Sequence, residues 1–301
     1  MLFDGRVISG VGGLYEVAVQ DGDGERSILC RGRGVLRRDD EKILVGDLCV
    51  VREEGSEAVI EKLLPRRTSL IRPPLANLDL LFIVTAASHP APSTDVLDKL
   101  TAIAVHNGIT PVLIVTKADL DGTAAEALAA TYRAVGFTVF VLSPSLDSAE
   151  LSAFIDAEVQ GGRTAAFAGA SGVGKSTLLN RLFPHLALAT GDISKKISRG
   201  KHTTRTVKLF RTPSGGLLAD TPGFSMLDFL RFDFFSLSDL PDTFPELPAV
   251  LGGCRYADCT HTGEEECGVA IAVREGRIPA SRHESYKSLY KLLRDKERRW
   301  D

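Results

Sequence analysis

The feature that most constrains this chain is a glycine-rich octapeptide, Gly-Ala-Ser-Gly-Val-Gly-Lys-Ser, at residues 169–176. It fits the pattern G-x-x-x-x-G-K-[ST], follows the apolar run Thr164–Ala168 and precedes an apolar helical pattern that begins at Thr177. Glycines at these positions let backbone N–H groups approach phosphates, and the helix N-terminus adds positive potential. We therefore expect a phosphate loop between a strand and a helix.

The last residues of this loop have the most specific expected roles. Lys175 is expected to reach the β- and γ-phosphates and is a catalytic candidate, while Ser176 is expected to offer its hydroxyl to Mg²⁺. The residues of this segment predicted to bind the nucleotide are Gly169, Ala170, Ser171, Gly172, Val173, Gly174, Lys175, Ser176 and Thr177.

Two further segments downstream suit a nucleoside triphosphate with magnesium. Asp220-Thr-Pro-Gly223 ends the apolar run Leu217–Ala219, so a carboxylate lies at a strand end, where it could hold Mg²⁺. The Gly223 backbone N–H could sense the γ-phosphate. Residues 200–205 read Gly-Lys-His-Thr-Thr-Arg, and either Thr203 or Thr204 could complete the magnesium shell, with Thr204 as the working assignment. The alternative for this segment is a basic surface loop.

A guanine-selecting segment lies upstream of the phosphate loop. Thr116-Lys-Ala-Asp119 ends the apolar run Pro111–Val115 and resembles the box N-K-x-D. The Asp119 carboxylate would accept from N1–H and the exocyclic amine of guanine, donors that adenine lacks. Lys117 could cover the base face, and Thr116 can make only part of the contacts of the usual asparagine. Ser143, at another strand end, could contact the guanine carbonyl.

The order of these motifs divides the chain. Ordinary GTPases place the guanine box after D-x-x-G, whereas no such box follows Asp220 here, which predicts a circular permutation. Residues 68–230 alternate strand and helix patterns with continuous apolar strands, which predicts an α/β domain with a parallel sheet. Residues 1–67 show five short strand patterns, which favour an OB-fold barrel, with an SH3-like barrel as the alternative.

Residues 231–301 carry a cysteine-rich cluster and a final helix. The spacing Cys254-x4-Cys259-x-His261-x5-Cys267 offers three thiolates and one imidazole, a full tetrahedral set for one structural Zn²⁺. Buried cysteines beside an unrelated histidine are the alternative. The helix is predicted over 282–299, with a capping box formed by Ser281 and Glu284.

Composition limits the setting of the protein. The chain has 301 residues and a formal net charge of −3, so any nucleic-acid contact must come from local patches. We find no apolar run long enough to span a membrane and no apolar signal region, and expect a cytoplasmic protein. Cys30 and Cys49 lie in strand patterns and are expected to be buried apolar residues.

Together these motifs resemble one family, the small ribosomal subunit biogenesis GTPases of the RsgA type, also called YjeQ or YloQ. The resemblance covers nearly the whole chain. The matching stretches are residues 72–79, 116–119, 169–177, 200–204, 220–224 and the cysteine cluster. It implies an OB-fold, a circularly permuted G domain and a zinc domain. It also implies a hydrolase that converts GTP to GDP in late maturation of the 30S subunit, contacts 16S rRNA and is stimulated by that subunit. We expect a monomer, because nothing in the sequence indicates an obligate dimer.

The resemblance also bears on catalysis. Phe224 follows D-x-x-G where many GTPases carry a water-positioning glutamine, so hydrolysis is expected to be slow without a partner. His202 matches a histidine suggested to assist hydrolysis in the family and is the second catalytic candidate. The alternative is that His202 contacts RNA or only its own loop.

Two other functions compete with this interpretation. The first is an RNA-binding scaffold in which the nucleotide is only a structural ligand, and the intact Lys175, Ser176 and Asp220 argue against it. The second is an ATP-using enzyme with the same phosphate loop, and Asp119 argues against that. Nucleotide competition distinguishes the second from a GTPase.

Overall fold

The computed structural model describes residues 1–22, 24–32, 42–55, 57–143, 149–184, 207–220, 229 and 231–298, with only the backbone described for Asp220. The chain forms two compact units. One unit draws on Met1–Leu80, Ser152–Phe167 and Ser176–Phe224, and the other on Leu81–Leu151, Ala168–Lys175 and Ser225–Asp301.

Within the described residues, strands fill the N-terminal part of the chain, strands and helices alternate in the middle, and short turns and helices follow. The strands are β1 Leu2–Val11, β2 Leu14–Asp21, β3 Gly24–Gly32, β4 Leu48–Glu54, β5 Glu57–Leu63, β6 Ser69–Leu70, β7 Leu75–Ala76, β8 Leu80–Ala86, β9 Thr110–Thr116, β10 Thr138–Val141, β11 Thr164–Ala168, β12 Lys208–Arg211 and β13 Leu217–Asp220. The α-helices are α1 Thr94–His106, α2 Gly122–Ala134, α3 Ala149–Val159, α4 Lys175–Leu182, α5 Pro248–Leu251, α6 Gly268–Arg274 and α7 Ala280–Glu297. Single 3₁₀ turns lie at Gln160–Gly162 and Leu240–Thr243.

The first five strands close into a barrel. Antiparallel pairs join β1 to β2, β2 to β3, β4 to β5 and β1 to β4, while β3 and β5 pair in parallel. The strand order 1-2-3-5-4, returning to 1, is that of an OB-fold and confirms the expectation. Alternating side chains from all five strands fill the interior. Cys30 and Cys49 are among them, and burial raises the pKa of their thiols to about 11 and about 12, so both act as apolar residues.

The first unit continues from the barrel into part of an α/β sheet. Strand β11 pairs in parallel with β13, which pairs antiparallel with β12, and β12 meets β1 at Ser9 and Lys208. The sequence analysis did not predict β12. Buried Asp79 organises the connection, because its carboxylate accepts from the Arg67 guanidinium at 2.8 Å and from the Thr164 N–H at 2.8 Å.

The second unit holds the parallel strands β8, β9 and β10 in the order 10-9-8. Every residue of β8 is buried, as expected for a strand covered on both faces. The flanking helices begin at residue types that commonly cap helices, since Ser93 accepts from the Val96 N–H at 3.4 Å and Asp121 accepts from the Ala124 N–H at 2.9 Å. The α/β prediction is confirmed.

The C-terminal part of this unit is mainly helical, and its last helix departs from the sequence prediction at its start. Helix α7 begins at Ala280 after Pro279, and no side chain caps it, so the capping box of Ser281 and Glu284 is wrong. Proline already has the φ needed to enter a helix, with φ −60° and ψ 131° here, so the chain turns without a hydroxyl cap. Ser281 therefore lies inside the first turn.

Candidate functional site

The phosphate loop connects β11 to α4, as predicted, and its shape depends on glycine. Gly169 has φ 148°, and a Cβ added there would lie 2.2 Å from the carbonyl oxygen of Val84, so no other residue fits. Gly174 has φ 91°, which also disfavours any side chain. Gly169 therefore lets the loop backbone approach β8, while Gly174 faces Thr116 at the end of β9.

Lys175 lies at the end of this loop and is partly buried. Its ammonium donates to the carbonyl oxygen of Gly169 at 3.2 Å and so joins the last residues of the loop to its first residue. A cation held at this position suits the phosphate chemistry predicted for it. Ser176 is partly buried and Thr177 is exposed on the first turn of α4.

The guanine box lies directly against the phosphate loop. The hydroxyl of Thr116 donates to the carbonyl oxygen of Val173 at 2.5 Å and lies 3.1 Å from that of Thr85. The ammonium of Lys117 donates to the carbonyl of Gly172 at 2.8 Å and to that of His89. Two successive residues of the box are therefore hydrogen-bonded to two successive carbonyls of the loop.

The residues predicted to contact the guanine base lie at the same end of the sheet as the phosphate loop. The Ala118 N–H donates to the Leu142 carbonyl at 3.1 Å, which places the guanine box beside the segment that contains buried Ser143. Asp119 is exposed, and within the described parts of the chain no group donates to its carboxylate. The structure thus places Thr116, Lys117 and Asp119 beside the segment that contains Ser143, and the Asp119 side chain is exposed.

The remaining predicted residues of the nucleotide site cannot be placed. His202, Thr203, Thr204 and Gly223 lie outside the described residues. For Asp220 the backbone ends β13, as predicted, while its side chain is outside the description.

The cysteine cluster forms a compact set of metal-ligand atoms. The Sγ atoms of Cys254, Cys259 and Cys267 and a ring nitrogen of His261 all lie within 4.8 Å of one another. His261 Nδ1 is 3.5 Å from Cys254 Sγ and 3.6 Å from Cys267 Sγ. Zinc bonds of about 2.3 Å to sulfur and 2.0–2.1 Å to nitrogen, at a tetrahedral angle, place those atoms about 3.5 Å apart.

The chemistry of the donor set also fits zinc. Burial, together with hydrogen bonds to the Cys267 and Cys254 thiols, raises the pKa of the Cys259 thiol to about 12. A divalent cation bound here would hold the Cys259 sulfur as a thiolate at neutral pH. Because four protein ligands surround one point, no position is left for a substrate.

The loop between the ligands is organised by Glu264. Its carboxylate accepts from the Thr260 N–H and hydroxyl, both at 2.7 Å, and from the Thr262 and Gly263 N–H groups at 3.0 and 3.1 Å. Burial alone would raise the pKa of Glu264, but these hydrogen bonds hold it at about 2. His283 Nε2 lies 2.7 Å from the His261 carbonyl oxygen and supports the ligand from the other side.

Sequence reasoning missed a buried ionic network beside this centre. Arg282 of α7 is 1% exposed and pairs with Asp98 of α1 and with Glu246. Tyr132 of α2 donates its hydroxyl to the same Asp98 carboxylate at 2.7 Å. The only sequence signal was a carboxylate amid apolar residues on the face of α1, which needs a buried partner.

Among the described helices, none has the length and apolar character needed to cross a membrane.

Two family models match the chain. The model of the RsgA N-terminal domain matches residues 4–60, and that of the RsgA GTPase matches residues 63–230. The family model of the GTPase therefore covers more than half of the chain.

Curated relatives are similar over nearly the full length. A protein of Leuconostoc citreum named small ribosomal subunit biogenesis GTPase RsgA is 40% identical over 297 residues, covering 97% of this chain and 96% of that protein. One of Bacillus velezensis with the same name is 39% identical over 303 residues, covering 99% of both chains.

Solved structures have a similar fold. The crystal structure of YjeQ from Thermotoga maritima gives a TM-score of 0.80 at 30% identity, covering 97% of this chain and 99% of that one. The crystal structure of YloQ, described as a circularly permuted GTPase, gives 0.77 at 34% identity, covering 98% and 96%.

Proposed function

The chain belongs to the RsgA family of GTPases, and from this we propose that it acts as a GTP-hydrolysing switch in late maturation of the small ribosomal subunit. It carries a phosphate loop and an upstream guanine box, the permuted order described for YloQ. The observation that most supports the proposal is the interlock of Thr116 and Lys117 with Val173 and Gly172, because it joins the guanine box and the phosphate loop into one site.

Within this site we propose that the residues of 169–177 bind the phosphates and that Asp119 reads guanine. The exposed Asp119 carboxylate can accept from N1–H and the exocyclic amine, and Lys117 and Ser143 flank the base. Adenine would leave the carboxylate without donors, which selects GTP over ATP.

Magnesium is proposed to bind with GTP at Ser176, Asp220 and Thr204, with Thr203 as the alternative to Thr204. A hydroxyl and a carboxylate are the oxygen donors that Mg²⁺ prefers. When bound, the ion neutralises charge on the β- and γ-phosphates. Lys175 is proposed to stabilise the phosphates, and His202 to assist hydrolysis once the ribosomal partner is present.

The zinc centre is proposed to be structural. Its residues, Cys254, Cys259, His261 and Cys267, form a closed donor set, and the loop around it is short and held by Glu264. Metal binding at such a site contributes directly to folding.

The partner is proposed to be the 30S subunit, with contacts to 16S rRNA, because the curated relatives are named for biogenesis of this subunit. We also propose that the protein acts as a cytoplasmic monomer. Residues 1–67, 68–230 and 231–301 are proposed as the RNA-binding OB-fold, the permuted G domain and the zinc domain.

The test is GTP turnover by the purified zinc-loaded protein, alone and with 30S subunits, with ATP in parallel. We expect slow turnover alone and strong stimulation that is specific for GTP. Lys175→Ala should abolish both, whereas Lys287→Ala, on an exposed ion pair with Glu284, should not.

The alternatives give different results. Tight subunit binding without stimulation would favour the RNA-binding scaffold and would reduce His202 to an RNA contact. Equal turnover of ATP would refute the guanine-reading role of Asp119.

A further inference from the structure

Thr116 occupies the position that is asparagine in the N-K-x-D pattern, yet its side chain points into the protein. It is 8% exposed, and its hydroxyl lies between the carbonyl oxygens of Val173 at 2.5 Å and Thr85 at 3.1 Å. Both acceptors are backbone groups, one in the phosphate loop and one at the end of β8.

The hydrogen bonds of this hydroxyl limit what it can do for a base. A threonine hydroxyl has one hydrogen to donate, and the 2.5 Å contact with Val173 takes it. The N7 and O6 atoms of guanine are both acceptors and would need a donor. Thr116 therefore has no hydrogen available for that edge of the base while it is bonded to the loop.

The packing around Thr116 also indicates a structural role for this residue. A Cβ added to Gly174 would lie 3.7 Å from the Thr116 hydroxyl oxygen and 4.0 Å from its Cβ, so the loop passes close to this side chain. On the other side, the Ala87 N–H donates to the Thr116 carbonyl at 2.8 Å, which fixes its backbone to the segment after β8.

We propose that Thr116 is a positioning residue that holds the phosphate loop in its binding shape and does not read the base. The proposal rests on the nucleotide site proposed above and gives Thr116 a role separate from that of Asp119. Lys117 makes the neighbouring bond, to Gly172, from the exposed side of the loop. The two bonds together align the carbonyls of residues 172 and 173 away from the phosphates, which leaves the loop N–H groups to face them.

A positioning role for Thr116 has a specific consequence for nucleotide affinity. A loop already shaped in the free protein loses less conformational freedom when phosphates bind, so the affinity for every nucleotide diphosphate should depend on Thr116. Discrimination between bases should not depend on it. Inorganic pyrophosphate separates the two properties, because it keeps the phosphate groups and has no base edge for Thr116 or Asp119 to contact.

The test measures GDP and pyrophosphate affinities of the full-length zinc-loaded protein by titration calorimetry. Thr116→Val removes the hydroxyl at nearly constant volume and should weaken GDP and pyrophosphate by the same factor, about three- to tenfold, the size expected for one hydrogen bond. The ratio of the two affinities should stay unchanged, and Thr116→Ser should restore both. Asp119→Ala should instead collapse the ratio.

A matched control removes an equivalent bond elsewhere. The buried hydroxyl of Thr243 donates to the Leu240 carbonyl at 2.8 Å within a 3₁₀ turn of the same unit. Thr243→Val should leave both affinities unchanged. A second measurement, amide hydrogen exchange of the nucleotide-free protein, should show faster exchange in residues 172–175 for Thr116→Val and not for Thr243→Val.

Two results would overturn the proposal. If Thr116→Val weakens GDP but not pyrophosphate, the residue reads the base. If it changes neither affinity nor exchange in the loop, the hydroxyl does not position the loop. A wild-type protein that binds ADP as well as GDP would refute guanine selection, and the exchange measurement would still decide the role of Thr116.

Discussion

Replacing Arg282 by methionine tests what holds the C-terminal helix α7 against α1. The guanidinium donates through Nε and Nη2 to the two oxygens of Glu246 at 2.7 and 3.1 Å, and through Nη1 to Asp98 at 2.6 Å. It also lies 4.5 Å from the centre of the Phe244 ring. Methionine keeps most of the aliphatic stem and removes every one of these bonds.

The expected cost follows from burial. Arg282 and Asp98 are each 1% exposed and Glu246 is 5% exposed at the side chain, so the substitution leaves two carboxylates out of water without their cation. Asp98 Oδ2 already has no hydrogen-bond partner among the described residues. Removing one partner of a buried ion pair costs about 3–5 kcal/mol. We expect a loss of this size in local stability.

Native-state amide hydrogen exchange of the zinc-loaded protein measures this loss where it occurs. Exchange in α1 and α7 should accelerate by about 100- to 4,000-fold, since each 1.4 kcal/mol is a factor of ten. Exchange in the barrel strands β1–β5 should stay unchanged. Arg277→Met is the matched control, because Arg277 pairs with Glu275 at the surface, where both side chains are more than half exposed, and should have almost no effect.

A second variant tests whether uncompensated charge is the cause. Neutralising all three groups with Asp98→Asn, Glu246→Gln and Arg282→Met should cost less than Arg282→Met alone, because no charge then remains buried. If Arg282→Met accelerates exchange less than tenfold, or if the triple variant is worse than the single one, the reasoning is wrong.

Three further changes have definite expected outcomes. Asp119→Asn should weaken GTP binding by at least about 100-fold and improve binding of xanthosine triphosphate, whose C2 carbonyl accepts from the new amide. A competition titration measures both affinities. Glu264→Gln should release zinc to a chromogenic chelator about 5- to 30-fold faster at pH 7.5, because about 1–2 kcal/mol of charge-assisted hydrogen bonding is lost. Glu265→Gln, at an exposed neighbouring position, should leave the release rate unchanged. The Glu264 pKa of about 2 lies below its ordinary value, so this stabilisation is complete above about pH 4.5 and declines as the pH falls towards 2. Lys296→Met should open the segment after the D-x-x-G loop to limited proteolysis, because the ammonium donates to the carbonyls of Phe229 and Phe232 at 2.8 and 2.9 Å; unchanged cleavage would refute this.

Local patterns were enough to predict most elements of this fold. The β-barrel strands, the parallel strands β8–β11 and helices α1–α3 and α7 follow from apolar periodicity and from glycine or capping residues within a few positions. The phosphate loop and the zinc cluster were predictable for the same reason, since each motif specifies its chemistry within a short stretch of chain. Strand β12 was missed because it has only four residues, two of them exposed, which carry too little pattern.

Two features depended on partners far away in the chain and so were decided by the tertiary structure. Asp98 and Arg282 are 184 positions apart, and no local rule links a charge on one helix face to a charge on another. The hydroxyl of Thr116 is committed to a carbonyl 57 positions away, so its sequence position in the guanine box did not reveal its role. The sequence by itself determined which groups are present and which secondary structure they favour. Only the tertiary structure determined which polar groups are buried against one another, and their removal from water sets the strength of each hydrogen bond and ion pair.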